Sequence, residues 1–246
     1  MSAELFRILV VFIWLLAAAY GYSSGNQLDH ACSLLVTQDY FNFLVSAVQY
    51  MDVSCIHPNW AVPPAIFMSL QTYEPAMKTI AALLDDMFED VEYSQPAGAF
   101  TAAGHRVVTV GMKRGKTVTG KAHGTPVTIE VPVSDARVRD FDALFIPGGY
   151  SPDRLRAHPE PVAFVREFVL SGKPVLGICH AAQLLITAQV ITGRRITGYV
   201  SIIQDIKYAG AEFVDEPVVE DGNLVFSRDP RDIPAFIAAS LKKLED

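Results

Sequence analysis

The sequence has few cysteines, no paired metal-binding motif and no cluster of basic residues, and each absence excludes a class of protein. Its three cysteines, Cys32, Cys55 and Cys179, are too few for a disulfide framework. They form no CxxC pair and no paired histidines accompany them, so no metal site is expected. The net charge is −7, whereas phosphate binding needs clustered Lys and Arg. A nucleic-acid-binding surface is therefore not expected.

The first 76 residues differ in composition from the rest of the chain. Half of the 246 residues are hydrophobic and 19% are charged, which is enough apolar material for a packed core. Before Lys78 there is no lysine, and Arg7 is the single basic residue. Residues 5–22 are apolar apart from Arg7, but the uninterrupted part, Ile8–Ala19, is shorter than the roughly 20 residues that span a bilayer.

Two interpretations of this N-terminal part stay open. We favour a poorly ordered extension, residues 1–76, translated from an upstream start, with Met77 as the true start of a cytoplasmic protein that has no membrane contact. In the alternative, residues 5–22 act as a secretion signal or as a marginal membrane anchor. A secretion signal would carry a reactive thiol into an oxidising compartment, where it is harder to keep reduced.

From Met77 onward, short apolar runs alternate with helical patterns. Strands are predicted at Lys78–Leu84, His105–Val110, Phe141–Ile146 and Pro174–Ile178, and helices at Asp90–Ala103, Glu160–Leu170 and Ala181–Gln189. Such alternation predicts an α/β fold with helices on both faces of a parallel sheet. Right-handed crossovers make this sheet doubly wound, with a flavodoxin-like strand order.

A stretch rich in Gly, Thr and Val interrupts this alternation. Gly115–Val131 is predicted to form a β-hairpin. Within it, the run GKTVTGKA resembles a phosphate-binding loop, but it ends in Ala122 where a Ser or Thr should meet Mg²⁺. We therefore reject nucleotide binding at this position.

Polar groups follow three of the predicted strands, at the sheet edge where doubly wound folds bind ligands. Cys179 and His180 stand at a strand-to-helix turn, the cysteine counterpart of a nucleophile elbow. The following helix N-terminus is expected to favour the thiolate. The pair Gly148-Gly149 can bring backbone N–H groups up to an oxyanion. Glu89, after the first strand, adds a carboxyl group.

The order of these residues excludes two familiar arrangements. His180 is the last histidine of the chain. Hydrolases with the order Ser, Asp, His need a histidine well downstream of the nucleophile, and so do glutamine amidotransferases with a late histidine. Conventional amidase chemistry is therefore disfavoured.

Residues 77–246 resemble the ThiJ/PfpI superfamily, and in particular its PfpI-type members with the class I glutamine amidotransferase-like fold. The matching segments are MKTIAALLDDMFEDVEY, DALFIPGGYSPDRLR, GKPVLGICHAAQLL and DGNLVFSRDPRDIPAF. The acidic motif, the PGG turn and the cysteine elbow occur in order and at family-like spacing.

The resemblance implies a role for each matching residue. Cys179 would be the nucleophile, Glu89 the carboxyl group bonded to its sulfur and His180 the neighbouring imidazole, while Gly149 would donate to an oxyanion. Asp153 matches the acidic residue that orients the histidine of an adjacent subunit in PfpI-like proteases, although it is one methylene shorter than the usual Glu. Tyr199 and Asp205 match positions near the pocket and are weaker candidates.

The function implied is that of a deglycase or glyoxalase-like hydrolase, acting without a cofactor on methylglyoxal or glyoxal adducts of protein or nucleotide amines and thiols. Its partners would be small carbonyl compounds or glycated proteins, and the chain would form a homo-oligomer, a dimer or a hexamer. An intracellular cysteine peptidase is one alternative. A non-enzymatic, redox-responsive stress protein or chaperone, with Cys179 as its sensor, is another.

Overall fold

A computed structural model describes residues 76–245. The predictions made for residues 1–75, namely the apolar leader, its signal or anchor alternatives and its poor order, lie outside this range. None of the helices between residues 76 and 245 is both long and apolar enough to cross a membrane.

A seven-stranded sheet forms the centre of the domain. Its strands are β1 (Thr79–Leu83), β2 (Arg106–Gly111), β5 (Val131–Pro132), β6 (Ala143–Ile146), β7 (Val175–Ile178), β10 (Val218–Asp221) and β11 (Leu224–Ser227). They lie side by side in the order β10-β11-β7-β6-β1-β2-β5. All neighbours pair in parallel except β10 and β11, which are antiparallel at one edge. The predicted doubly wound, flavodoxin-like fold is therefore confirmed.

Helices cover both faces of the sheet. They are α1 (Asp90–Ala102), α2 (Ser151–Leu155), α3 (Pro159–Leu170), α4 (Ala182–Thr187), α5 (Ile203–Tyr208) and α6 (Ile233–Glu245). Alternate residues of β1 point to opposite faces, as a strand requires. Ile80 packs in the core with residues of α1 and α6, and Ala81 packs in the core with residues of α3 and α4. Burial on both faces explains why the strands read as continuous apolar runs.

The remaining elements lie outside this sheet. The predicted hairpin is present as the antiparallel pair β3 (Thr117–Thr119) and β4 (Pro126–Thr128), and β8 (Arg195–Ile196) pairs in parallel with β9 (Glu212–Phe213). The helix predicted at Ala181–Gln189 is shorter in the structure. A 3₁₀ turn, Cys179–Ala181, precedes α4, and Thr187 ends it.

Candidate active site

The loops after β1, β6 and β7 meet at the carboxyl edge of the sheet. Backbone contacts fix the first two loops to each other, since Glu89 N donates to Gly148 O at 3.3 Å and Tyr150 N donates to Met87 O at 2.8 Å. The third loop brings Cys179 to the same edge. The structure thus gathers the three strand ends that the sequence had singled out.

Cys179 occupies a strained backbone position. Its φ is +62°, in the left-handed region that residues with a side chain rarely adopt. Strain of this kind persists only where the surrounding fold enforces it, and it is concentrated at functional sites. The buried side chain is 6% exposed. Burial raises the pKa of the thiol and the neighbouring Glu92 raises it further, while backbone N–H groups of Gly149 and His180 act against this rise.

The carboxyl group beside the sulfur belongs to Glu92, which corrects the contact predicted for Glu89. Glu92 is fully buried on the first turn of α1 and is hydrogen-bonded to Cys179. Its Oε2 accepts the N–H of Gly148 at 3.0 Å. Its Oε1 is buried and has no hydrogen-bond partner among residues 76–245. Burial raises the pKa of Glu92 to about 8, helped by the charge of Glu89.

Glu89 occupies the N-cap position of α1, and its side chain makes no capping hydrogen bond. Glu89 Oε2 lies 2.7 Å from Lys121 Nζ, in the loop between β3 and β4. Helix geometry explains why Glu92, and not Glu89, lies beside the sulfur. Glu89 has an extended backbone just outside the helix, whereas Glu92, three residues on, points back from the first turn into the core.

The backbone N–H groups of Gly148 and Gly149 have different hydrogen-bond partners. The N–H of Gly148 is engaged by Glu92, so it is not available for an oxyanion. The N–H of Gly149 faces the sulfur and remains the candidate donor. Gly149 has φ +75°, and a Cβ there would collide with the backbone of Met87 and Glu89. Only glycine therefore allows this close approach of the two loops.

His180 lies on the open side of Cys179. Its ring stacks at a tilt on Tyr199, with 5.1 Å between the ring centroids. The Tyr199 backbone N–H donates to Cys179 O at 3.0 Å, which places this predicted pocket residue at the site. Burial lowers the pKa of His180, while its hydrogen bond with Gln183 acts in the opposite direction. The imidazole is therefore neutral near pH 7.

Two other predicted residues lie farther out. Asp153 is half exposed and pairs with Arg156 at 2.6 Å, although its charge still reaches His180. Asp205, on α5, lines an open groove of about 680 Å³ together with Arg156 and Tyr208. The structure thus places Asp205 in this groove and not against the thiol.

Three residues of the site were missed from the sequence: Glu92, Lys121 and Gln183. Glu92 had a signal, because FEDVE contains two glutamates one helical turn apart. Lys121 carried none, since the tertiary fold brings its loop to the site. Gln183 had a local signal, because it lies three residues after His180 at the start of α4. Between residues 76 and 245, His, Cys, Asp and Glu form no group of three or more that could hold a metal ion.

Known proteins resemble this domain over its full length. A profile of the DJ-1/PfpI family matches residues 78–243. "Protein/nucleic acid deglycase 2" of Escherichia coli is 51% identical over 168 residues, 68% of this chain and 98% of that protein. YraA of Bacillus subtilis, named as a candidate cysteine protease, is 48% identical over 168 residues, 68% of this chain and 99% of its own.

A solved structure shares the fold as well. It is a two-domain protein from Anabaena variabilis with DJ-1/ThiJ/PfpI-like and ferritin-like domains. The match has a TM-score of 0.67 and 36% identity, and it covers 68% of this chain and 48% of that one. With the cysteine elbow, the PGG turn and the flavodoxin-like sheet in one domain, this chain belongs to the DJ-1/PfpI family.

Proposed function

We propose that this protein is a cysteine-dependent deglycase of the DJ-1/PfpI family, acting on methylglyoxal or glyoxal adducts of amines and thiols. The observation that carries the proposal is the buried contact between Cys179 and Glu92 at a strained strand end. The name of the Escherichia coli relative, a protein/nucleic acid deglycase, supports the same reaction class.

Cys179 and Glu92 act as one titrating couple in this proposal. Two acidic groups in contact in a dry site cannot easily both ionise, so protons leave the pair in two separate steps. The first proton to leave is that of Glu92, because its raised pKa of about 8 still lies below the raised pKa of the thiol. The thiol proton can then pass to the Glu92 carboxylate, which places the single negative charge on the sulfur. This tautomer is the nucleophile, because a thiolate attacks carbonyl carbon far better than a thiol does.

The chemistry follows from this state. The thiolate forms a bond to the carbonyl carbon, the π electrons move to the carbonyl oxygen, and that oxygen takes the Glu92 proton. The N–H of Gly149 lies beside the sulfur and donates to the developing oxyanion. The carbonyl attacked is that of the former aldehyde carbon, which forms when the bond of this carbon to the amine or thiol breaks and the departing group takes the hydroxyl proton of the adduct. A proton then moves from this carbon to the neighbouring carbonyl carbon, which gives a 2-hydroxy thioester of Cys179. Water hydrolyses the thioester to the 2-hydroxy acid and restores the free thiol. The aldehyde carbon is oxidised as the ketone carbon is reduced, so the reaction needs no cofactor.

The open side of the site fits a variable leaving group. His180, held by Tyr199 and Gln183, is a neutral base at the mouth. It can deprotonate the water that releases the product, because its lowered pKa keeps it unprotonated at neutral pH. Small carbonyl compounds and glycated side chains are the partners that this arrangement serves.

The test is release of lactate from a methylglyoxal-modified peptide by the purified protein. We expect turnover by the parent protein and none above background by Cys179→Ala, with an intact mass of the peptide that returns to its unmodified value. Lactate formation from free methylglyoxal alone would restrict the activity to glyoxalase chemistry. No lactate from either substrate would contradict the proposal.

A cysteine peptidase is the second candidate, favoured by the name of the Bacillus subtilis relative. Peptide hydrolysis needs an acid that protonates a leaving amine, and His180 is the candidate for that acid. In such an enzyme Asp153 of an adjacent subunit would orient His180 within a dimer or hexamer. Hydrolysis of an unmodified peptide, absent in Cys179→Ala and dependent on the oligomer, would favour this candidate.

A further inference from the structure

An ion pair between Glu89 and Lys121 lies at the mouth of the site and has no part in the steps above. Lys121 Nζ is 2.7 Å from Glu89 Oε2 and lies over the ring of Tyr150, 5.6 Å from its centroid. The side chain of Lys121 is only 34% exposed and that of Glu89 only 15%. An ion pair of this kind, partly withdrawn from water, exerts a stronger field than a pair on an open surface.

The backbone that carries Lys121 is fixed to the start of α1. Lys121 N donates to Phe88 O at 2.8 Å. The buried carboxylate of Asp90 accepts the N–H groups of Ala122, His123 and Thr125 at 2.9, 3.2 and 2.9 Å. Burial alone would raise the pKa of Asp90, but a hydrogen bond with the Thr125 side chain, together with these backbone hydrogen bonds, holds it well below its usual range. The ammonium group is thus held in place by the fold.

The fields of the two charges reach the buried couple with opposite signs. Lys121 interacts electrostatically with Cys179, Glu92 and His180. Glu89 interacts with Glu92, against which its negative charge acts. Around the couple, the charged and titratable groups are Glu89 from the loop after β1, Lys121 from the hairpin and His180 from the elbow, with Asp153 and Arg156 beyond His180.

We propose that Glu89 and Lys121 are positioning residues that set the charge of the Cys179–Glu92 couple from opposite directions. Lys121 favours the singly charged, nucleophilic state and Glu89 opposes it, so the pair adjusts thiol reactivity without contacting the reacting atoms. This inference uses the role of Cys179 in the proposed function, but it concerns how readily the thiol ionises and not which substrate it attacks.

The experiment measures the alkylation rate of Cys179 by iodoacetamide between pH 5 and 10, in the full chain, with the Cys179 peptide followed by mass spectrometry. A charge several ångströms away in a partly buried site changes an ionisation equilibrium by roughly tenfold. Lys121→Met should therefore slow alkylation at pH 7 about tenfold. Glu89→Gln should accelerate it, Lys121→Arg should stay near the parent, and the double variant Lys121→Met/Glu89→Gln should fall between the two single ones.

Lys116→Met is the matched control. Lys116 belongs to the same hairpin, has a similar exposure of 35%, and pairs with Asp85 and Asp86 instead. Its removal tests whether loss of any hairpin ion pair is enough. We expect an alkylation profile close to that of the parent protein.

Opposite shifts for the two single variants support the inference, because a purely structural ion pair would change both profiles in the same direction. Shifts of the same sign, or a Lys121→Met effect no larger than that of Lys116→Met, would overturn it. If Lys121→Met does not fold, the signs of Glu89→Gln and Lys121→Gln decide. Alkylation needs no substrate, so these shifts can appear even if deglycation fails, and the two proposals are tested separately.

Discussion

The two sides of Cys179 differ in burial and in what holds them. On the inner side, Glu92 is fully buried and its Oε2 is fixed by the N–H of Gly148. On the outer side, Tyr199 is 37% exposed and His180 is half buried. A side chain locked in a core keeps one geometry and a perturbed pKa, whereas a partly solvated one can adapt to different ligands. Under the proposed function, the inner side would therefore supply the nucleophile and the outer side would select the substrate.

Of the substitutions on either side of the site, replacement of Cys179 should lower the activity most. Cys179→Ser is expected to lose at least about 10³ in kcat/KM, because a hydroxyl ionises far less readily than a thiol. Steady-state lactate release from a glycated peptide measures it. Cys32→Ser and Cys55→Ser serve as controls and should retain the parent rate. Comparable activity in Cys179→Ser would contradict a covalent mechanism.

Glu92→Gln should come next, with a loss of about 10² in kcat/KM, the usual range for a group that transfers a proton. The amide keeps the shape but cannot supply the proton. In the parent protein the rate should rise with pH towards the pKa of about 8 of Glu92, and this rise should disappear in the variant. Glu89→Gln serves for comparison: it should keep the rise but shift it to lower pH, because the charge that raises the pKa of Glu92 is removed. If the rate of Glu92→Gln rises with pH as that of the parent does, Glu92 contributes to packing only.

The raised pKa of Glu92 also predicts how the free energy of unfolding changes with pH. Its pKa rises from about 4.5 to about 8 on folding, so the folded state binds the proton more tightly than the unfolded state. That stabilising contribution is complete below about pH 4.5 and is lost as the pH rises through 8. The free energy of unfolding of the parent should therefore fall relative to Glu92→Gln between these pH values, as measured by urea denaturation. A constant difference would contradict the raised pKa.

On the outer side, Gln183→Leu should lower kcat about tenfold, because the imidazole of His180 loses the side chain with which it is hydrogen-bonded. KM should change little if the effect is on orientation alone. Gln204→Leu, at an exposed position on α5, is the control for the same change in side chain. Equal losses in the two variants would show that Gln183 has no specific role.

Asp153→Asn should have the smallest effect. Asp153 is half exposed and pairs with Arg156, and exposed ion pairs contribute about 0 to 1 kcal/mol. We expect an unchanged melting temperature and a loss of activity within about threefold. A loss beyond tenfold, together with dependence on protein concentration, would support the predicted role of Asp153 towards His180 of an adjacent subunit.

The elbow and the sheet could be predicted because their signals are local. The run Ile80–Leu84 is apolar and buried at every position, as is typical of a parallel strand covered on both faces. Cys179 follows such a strand directly, so its place at the carboxyl edge needs no tertiary information. Pro147-Gly148-Gly149 is similar, since a glycine turn after an apolar strand marks a close approach of backbone.

By itself, the sequence determined the family, the parallel sheet and the strand ends at which the site lies. Tertiary structure decided which of two glutamates, one helical turn apart, meets the sulfur. Strand and helix periods specify which face a residue lies on, but not which of two acids fits a pocket closed by other loops. Glu92 lies in that pocket because α1 packs against the PGG turn, and Glu89 is left outside, where the hairpin brings Lys121 to it.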